Sequence, residues 1–295
     1  MIEILNVDHF CQAVPDLEKQ SDFLQKVLGL LPSKISHQTD FDNQVLSIPG
    51  NSKLGWELMS PNTNKSFLHR FLDGPRGPGL HHMTMRVQSI EKTKNQLIEL
   101  GYEPWGAEGN VVYLHPQKGG QGFLFQFYES NDEDVWYDTE PFTDNEKNTI
   151  GIKSVDHIAH AHKNVSGLVD WYHKTFGFSP YNGDSDNTSS GEEFKIGLLQ
   201  LPSKQLKIEI IAPAHPESFV QKFLNERDTS VHHLTLEVED WNRAIAALDF
   251  HGIRTFGERS NVGAEPLWHE AFIHPKETGG VLLQIFWQAK PGLWE

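Results

Sequence analysis

At 295 residues and a formal net charge of −15, the chain is too acidic to read as a partner for a nucleic-acid backbone. Its 38% hydrophobic and 22% charged residues are ordinary for a soluble globular protein, and no apolar run approaches the ~20 residues of a membrane span. A single cysteine, Cys11, excludes an intrachain disulfide, and MIEILNVDHF reads as a strand start rather than a leader, so a cytoplasmic protein without a membrane partner is expected.

Taken in chain order, the sequence predicts a short strand at VDHF, then a helix carrying Phe23, Leu24, Val27 and Leu28 on one face and stopping at Gly29. Strands follow, closing with KLGWELMSP at 53–61. The same grammar restarts at HHMTMRV (81–87), with a helix ending at Gly101 and a closing strand QGFLFQFYE (121–129). A third unit runs from VDHIAHAH (155–162) through Gly177 to QLKIEIIAP (205–213). A fourth runs from HHLTLEV (232–238), through a helix bearing Trp241, Ala244, Ile245 and Leu248, to Gly252 and GVLLQIFWQ (280–288). The four glycines lie 72, 76 and 75 residues apart, the period of one supersecondary unit written four times.

Each unit reads as βαβββ, giving an α+β fold of four modules in two tandem domains, 1–130 and 151–290. Residues 131–150 fall between them. The run 129–150 holds eight acids and one lysine, as a solvated linker would.

Side chains on a strand alternate between faces, so parity decides what can meet. In each double histidine the second residue, His82 or His233, lies opposite the apolar positions; the first is expected to be packed or hydrogen-bonded structurally. The same test selects His9 and His157, whose neighbours on that face are Cys11 and Ala13 or Ala159 and Ala161. It also selects Glu57, Glu209, Gln126 and Gln284. The outcome is His-Glu-His-Gln twice: His9, Glu57, His82, Gln126, then His157, Glu209, His233, Gln284. Matching members lie 148, 152, 151 and 158 residues apart. Two imidazoles, a carboxylate and an amide oxygen suit a borderline divalent metal: Zn, Ni, Co, Mn or Fe(II). Four protein ligands on a six-coordinate ion leave two positions for water or substrate, a catalytic layout rather than a closed structural one.

These residues and phrases resemble the vicinal oxygen chelate superfamily, which includes glyoxalase I, methylmalonyl-CoA epimerase, bleomycin resistance proteins and extradiol dioxygenases. VDHF, VDHI, WELMSP, KIEIIAP, GLHHMTMRV and FIHPKETGGVLLQIFWQ are similar to epimerase phrases, and all four units are covered. The resemblance implies glyoxalase-like half-barrel domains with metal held by the eight residues above, either within a half or between the halves, since both arrangements draw on the same eight. The chain departs from the pattern in one respect. Where the family usually closes with a Glu that is both ligand and base, both halves carry Gln, so Glu57 and Glu209 are the only carboxylates left in their sets to move a proton.

The resemblance therefore implies a metal-dependent isomerase, epimerase or lyase acting next to a carbonyl or thioester through a metal-stabilised enolate. Its substrate would be small and anionic, with Arg86, Arg254 and Lys276 as candidate contacts. An extradiol-type Fe(II) dioxygenase and a metal-free ligand-sequestering resistance protein are the alternatives. The doubled half further implies a fused pseudo-dimer that works as a monomer.

Overall fold

The computed structural model describes residues 1–50, 53–106, 109–130, 137–139, 148–181, 189–190, 192–261 and 267–293. Most of the acidic run expected as a linker, 131–136 and 140–147, lies outside these residues. Among the described residues no helix is long and apolar enough to cross a membrane.

Two nine-stranded sheets follow the two halves of the sequence. The first comprises β1 (Ile4–Ala13), β2 (Leu31–Pro32), β3 (Ser36–His37), β4 (Phe41–Ser47), β5 (Gly55–Pro61), β6 (Gly79–Val87), β7 (Trp105–Gly106), β8 (Val111–Leu114) and β9 (Leu124–Glu129). Its order is β2-β4-β5-β1-β6-β9-β8-β7, with β3 on β4. The second comprises β10 (Ile152–Ala161), β11 (Ser179–Pro180), β12 (Ser189–Ser190), β13 (Phe194–Gln200), β14 (Lys207–Pro213), β15 (Ser230–Val238), β16 (Thr255–Ser260), β17 (Trp268–Ile273) and β18 (Leu283–Gln288). It repeats the order as β11-β13-β14-β10-β15-β18-β17-β16, with β12 on β13. The α+β reading and the tandem repeat of two like halves therefore hold.

Helices α1 (Leu17–Phe23), α3 (Ile90–Glu99), α4 (Val165–Phe176) and α6 (Trp241–Phe250) are the four that periodicity predicted. Their starts are fixed by Asp16, Ser89, Asn164 and Asp240, whose side chains accept from a backbone N–H three residues on. Helix α1 passes into a π-helical turn, Leu24–Leu28. All four stop glycines take a positive φ, between 69° and 85°. The structure adds what the repeat grammar lacked: α2 (Leu68–Leu72) after β5, α5 (Phe219–Arg227) after β14, and the two-residue strands β3 and β12.

Packing divides the chain into two compact units, each taking one module from either half of the sequence. One is Met1–Phe10, His81–Asp134 and His157–His232; the other is Cys11–Leu80, Val135–Asp156 and His233–Glu295. The first unit is centred on aromatic rings. Phe125 and Phe127 of β9 meet Phe176 of α4 at 5.4 and 5.9 Å, and Trp171, Tyr172 and Phe178 close round it. Burial pushes the Tyr172 phenol well up from its ordinary pKa. Its hydroxyl lies 2.9 Å from His160 Nδ1, while His160 Nε2 is 2.8 Å from the Gln121 carbonyl. That carbonyl can only accept, so Nε2 carries the proton and Nδ1 accepts from the phenol.

The second unit uses an amide network instead. Gln12 Nε2 donates to the carbonyls of Thr278 and Gly279 at 2.8 and 2.9 Å, Gln20 Nε2 donates to Thr278 at 3.0 Å, and Trp56 Nε1 donates to Gln12 Oε1 at 3.0 Å. Close backbone approaches that only glycine permits occur in both units. A Cβ on Gly122 would stand 1.6 Å from the Thr229 carbonyl oxygen, and one on Gly280 would stand 1.9 Å from that of Pro78.

Phe176 is fully buried with aromatic neighbours on several sides. Phe176→Ala is expected to cost about 3–5 kcal/mol, because rings held in this way cannot collapse into the void. Equilibrium urea unfolding measures it, and a loss under about 1 kcal/mol would mean that the aromatic cluster relaxes freely.

Candidate metal centres

The eight predicted ligands fall on four consecutive strands of each sheet. In the first, Glu57 is on β5, His9 on β1, His82 on β6 and Gln126 on β9. In the second, Glu209 is on β14, His157 on β10, His233 on β15 and Gln284 on β18. His9, Glu57 and His82 are all buried, with one ligand atom from each lying within 4.8 Å of the others; His157, Glu209 and His233 repeat this.

The faces continue from the ligands into apolar clusters. Beyond His9, Cys11 and Ala13 pack with Met59 and Leu68, and with Phe41, Phe71 and Leu72 beside them. Beyond His157, Ala161 packs with Ile211, Val220 and Leu224, flanked by Phe194, Ile196 and Phe223. Leu68 belongs to α2 and Val220 to α5, so the two unpredicted helices complete the dry end of each ligand face.

The neighbours of each ligand show how it is held. His9 Nδ1 lies 2.6 Å from Asp8 Oδ1, and Asp8 Oδ2 accepts from Arg86 Nε at 2.5 Å. A carboxylate on Nδ1 fixes the imidazole and directs Nε2 to a ligand, an arrangement common behind metal-bound histidines. Nε2 is 2.9 Å from Thr84 Oγ1, which donates to Gln126 Oε1 at 2.7 Å. The Nδ1 atoms of His81 and His82 share a hydrogen bond of 2.9 Å. Glu57 Oε1 accepts from Asn43 Nδ2 at 2.8 Å. Burial pushes the Cys11 thiol well above its ordinary pKa, with the charge of Glu57 and a hydrogen bond to it adding in the same direction.

In the second set, His157 Nε2 stands 3.7 Å from Glu209 Oε2. Gln284 Oε1 accepts from Thr235 Oγ1 at 2.6 Å, and its Nε2 donates to Glu270 Oε2 at 2.9 Å. Phe272 lies against His233, ring centres 5.6 Å apart. His232, the first of its pair, packs on Phe219 and Phe223 at 5.8 and 4.7 Å. Burial, with the Arg227 charge second, pushes it down to about 4, so it is neutral at physiological pH.

Not every candidate belongs to these clusters. Arg86, expected as a substrate contact, is buried and pairs with Asp8; its position is that of an internal ion pair, not of a cation presented to an incoming anion. Arg254 and Lys276 are exposed, on the loop before β16 and the turn after β17. Sequence reasoning passed over Asn43, Tyr113 and Glu270, each hydrogen-bonded to a candidate ligand. Parity could have found the last two, since Tyr113 pairs with Gln126 across β8–β9, and Glu270 shares a face with Phe272, the partner of Gln284 across β17–β18.

The donor chemistry fits a divalent ion. Two neutral imidazoles and one carboxylate are borderline ligands, and packing them together away from water is costly without a cation. In the first cluster, His82 and Glu57 are the donors beside His9 Nε2; in the second, His157, Glu209 and His233.

Comparison with known proteins agrees with this geometry. Residues 8–121 and 156–272 each match the glyoxalase/bleomycin resistance protein/dioxygenase superfamily. The chain is similar to methylmalonyl-CoA epimerase from Dictyostelium discoideum, 28% identical over 46% of this chain and 79% of that protein. It is 33% identical to the Mus musculus epimerase over 39% of this chain and 67% of that protein. Among solved structures, a triple mutant of 4-hydroxymandelate synthase from Streptomyces coelicolor covers 97% of this chain and 93% of its own at a TM-score of 0.71 and 12% identity, a likeness of fold.

Elemental analysis of protein purified without chelators is expected to find two equivalents of divalent metal per chain, falling to one in either His82→Ala or His233→Ala. An unchanged content in both variants would remove the assignment. Arg86→Ala, which leaves the Asp8 carboxylate buried without its guanidinium, is expected to cost about 3–5 kcal/mol in urea unfolding.

Proposed function

Because the chain belongs to the glyoxalase/bleomycin resistance protein/dioxygenase superfamily, we propose that it is a divalent-metal-dependent isomerase or epimerase, or a lyase, acting at the carbon next to a carbonyl or thioester. The observation that carries this reading is the pair of buried His-Glu-His clusters at matching places in the two halves. The epimerases with which the chain shares 28–33% identity act on methylmalonyl-CoA, and they supply the substrate class: a small anionic thioester or carbonyl compound.

A divalent ion held by these residues supplies Lewis-acid stabilisation of negative charge on a carbonyl oxygen. The chain's own residues do the rest. His9 and His82, or His157 and His233, would hold the ion, and with it the place where a carbonyl would lie. The apolar clusters under α2 and α5 keep water from one end of the face, which strengthens every charge interaction beside it. Glu57 or Glu209 holds and moves the proton of the α-carbon. Glu57 Oε1 accepts from Asn43, and Glu209 Oε2 stands 3.7 Å from His157 Nε2. Glu209, the one carboxylate of its cluster, is the acid we assign to proton transfer in the second half.

A second reading has its own observation. Two histidines and one carboxylate are also the ligand set of non-haem Fe(II) oxygenases, and an extradiol-type dioxygenase would use the same clusters.

Exchange of the α-proton of methylmalonyl-CoA for solvent deuterium, followed by NMR, tests the first reading. Glu209→Gln is expected to lower exchange at the second centre by about 10²-fold or more while metal content stays at two equivalents. Retained exchange in a chain that also carries Glu57→Gln would refute the roles of both acids. Oxygen uptake with catechols by the iron-loaded protein, in place of exchange, would transfer the assignment to the dioxygenase.

A further inference from the structure

Glu270 is a buried carboxylate that belongs to none of the eight predicted ligands. It sits on β17, two residues before Phe272, and Phe272 pairs directly with Gln284 of β18. Its Oε2 accepts from Gln284 Nε2 at 2.9 Å, and its Oε1 accepts from Arg259 Nε at 2.5 Å. Both carboxylate oxygens are thus engaged, one by the candidate ligand and one by a guanidinium on β16.

An amide has two chemically different ends, and what each end faces decides which way it lies. A carboxylate only accepts. Gln284 must therefore turn its Nε2 toward Glu270, on the β17 side, and its Oε1 toward Thr235, on the β15 side. Thr235 shares a strand face with His233, so this orientation sends the one atom of Gln284 able to bind a cation toward the His157–Glu209–His233 cluster. The opposite orientation would set the amide oxygen against a carboxylate.

The first half lacks this device. Gln126 lies between two hydroxyls, Thr84 Oγ1 at 2.7 Å and Tyr113 at 3.2 Å. Thr84 Oγ1 also lies 2.9 Å from His9 Nε2, so that amide is oriented through hydroxyls, one of them shared with a histidine, and not by a carboxylate. Position 111, which matches Glu270 in the second half, is a valine.

We propose that Glu270, anchored by Arg259, is a positioning residue that locks Gln284 with its oxygen toward the second centre, making the two centres unequal. The second offers a fourth donor oriented by a carboxylate; the first offers one oriented by hydroxyls. This rests on the reading of the clusters as metal centres, and the experiment separates the two claims.

Cobalt(II) titration, followed by its d–d absorption, is made in the His82→Ala background, where the second centre alone is intact. Glu270→Gln leaves one oxygen for two donors, and it is expected to weaken cobalt binding about 10–100-fold and to change the spectrum. The exchanged pair Glu270→Gln with Gln284→Glu restores a donor–carboxylate match in reverse, and it is expected to regain affinity to within about threefold. A residue that serves only the sheet would not move the cobalt spectrum. In the His233→Ala background, Tyr113→Phe is expected to change affinity by less than about threefold. Cobalt bound by the parent variant with affinity and spectrum unchanged in Glu270→Gln would overturn the inference and leave the centres standing. No cobalt bound by the His82→Ala chain would overturn the second centre, and the role of Glu270 with it. If Glu270→Gln fails to fold, the exchanged pair decides alone: a folded exchanged chain with weak cobalt binding and an altered spectrum would count against the lock.

Discussion

Three ionisable side chains brought within 4.8 Å of one another on adjacent buried strands constrain everything around them. Burying such a set requires that its geometry be held and its hydrogen bonds be accounted for. The sheets meet the first requirement by placing the ligands on their four middle strands, where each backbone is paired on both sides. They meet the second with side chains that are not themselves candidate ligands: Asp8 behind His9, Asn43 behind Glu57, and Thr84 and Thr235 beside the closing glutamines. Arg86 belongs to this support. By pairing with Asp8 it allows a carboxylate to be buried against the first histidine of the chain.

The two halves obey one plan and fill it with different chemistry. Where the first has Cys11, Asn43 and Tyr113, the second has Ala159, Ile196 and Phe272. The first centre is thus surrounded by groups that hydrogen-bond its carboxylate and its amide. The second has apolar neighbours at those places and draws its polar support from the Arg259–Glu270 pair. A fold repeated within one chain frees each copy to diverge, because the strand order that presents the ligands does not depend on what surrounds them. The same separation explains why a likeness of fold over almost the whole chain says little about the reaction, while the ligand set and its immediate neighbours say more.

Much of this was legible before any coordinates. The glycine period marked the four modules, and each glycine proved to take the left-handed conformation that ends its helix. Parity picked the second histidine of each pair, and His82 and His233 are the members found in the clusters. Charge alone suggested Arg86 as a substrate contact, but β6 is buried from His82 through Val87 and Arg86 is enclosed with it. Helices α2 and α5 went unread because each follows a closing strand, outside the strand–helix–strand unit that the glycine period marks.

By itself, then, the sequence determined the module, its repetition and the residue types at the ligand positions, since these follow from local spacing: 3.6 residues per helical turn, two per strand, one glycine per stop. The tertiary structure alone decided which side chains stand behind the ligands. Asp8 with Arg86, Asn43 with Glu57, and Glu270 with Gln284 are 78, 14 and 14 residues apart. They meet through cross-strand register and side-chain direction, which no local spacing encodes. The orientation of the Gln284 amide was settled only there, because it depends on which atom of a distant residue it faces.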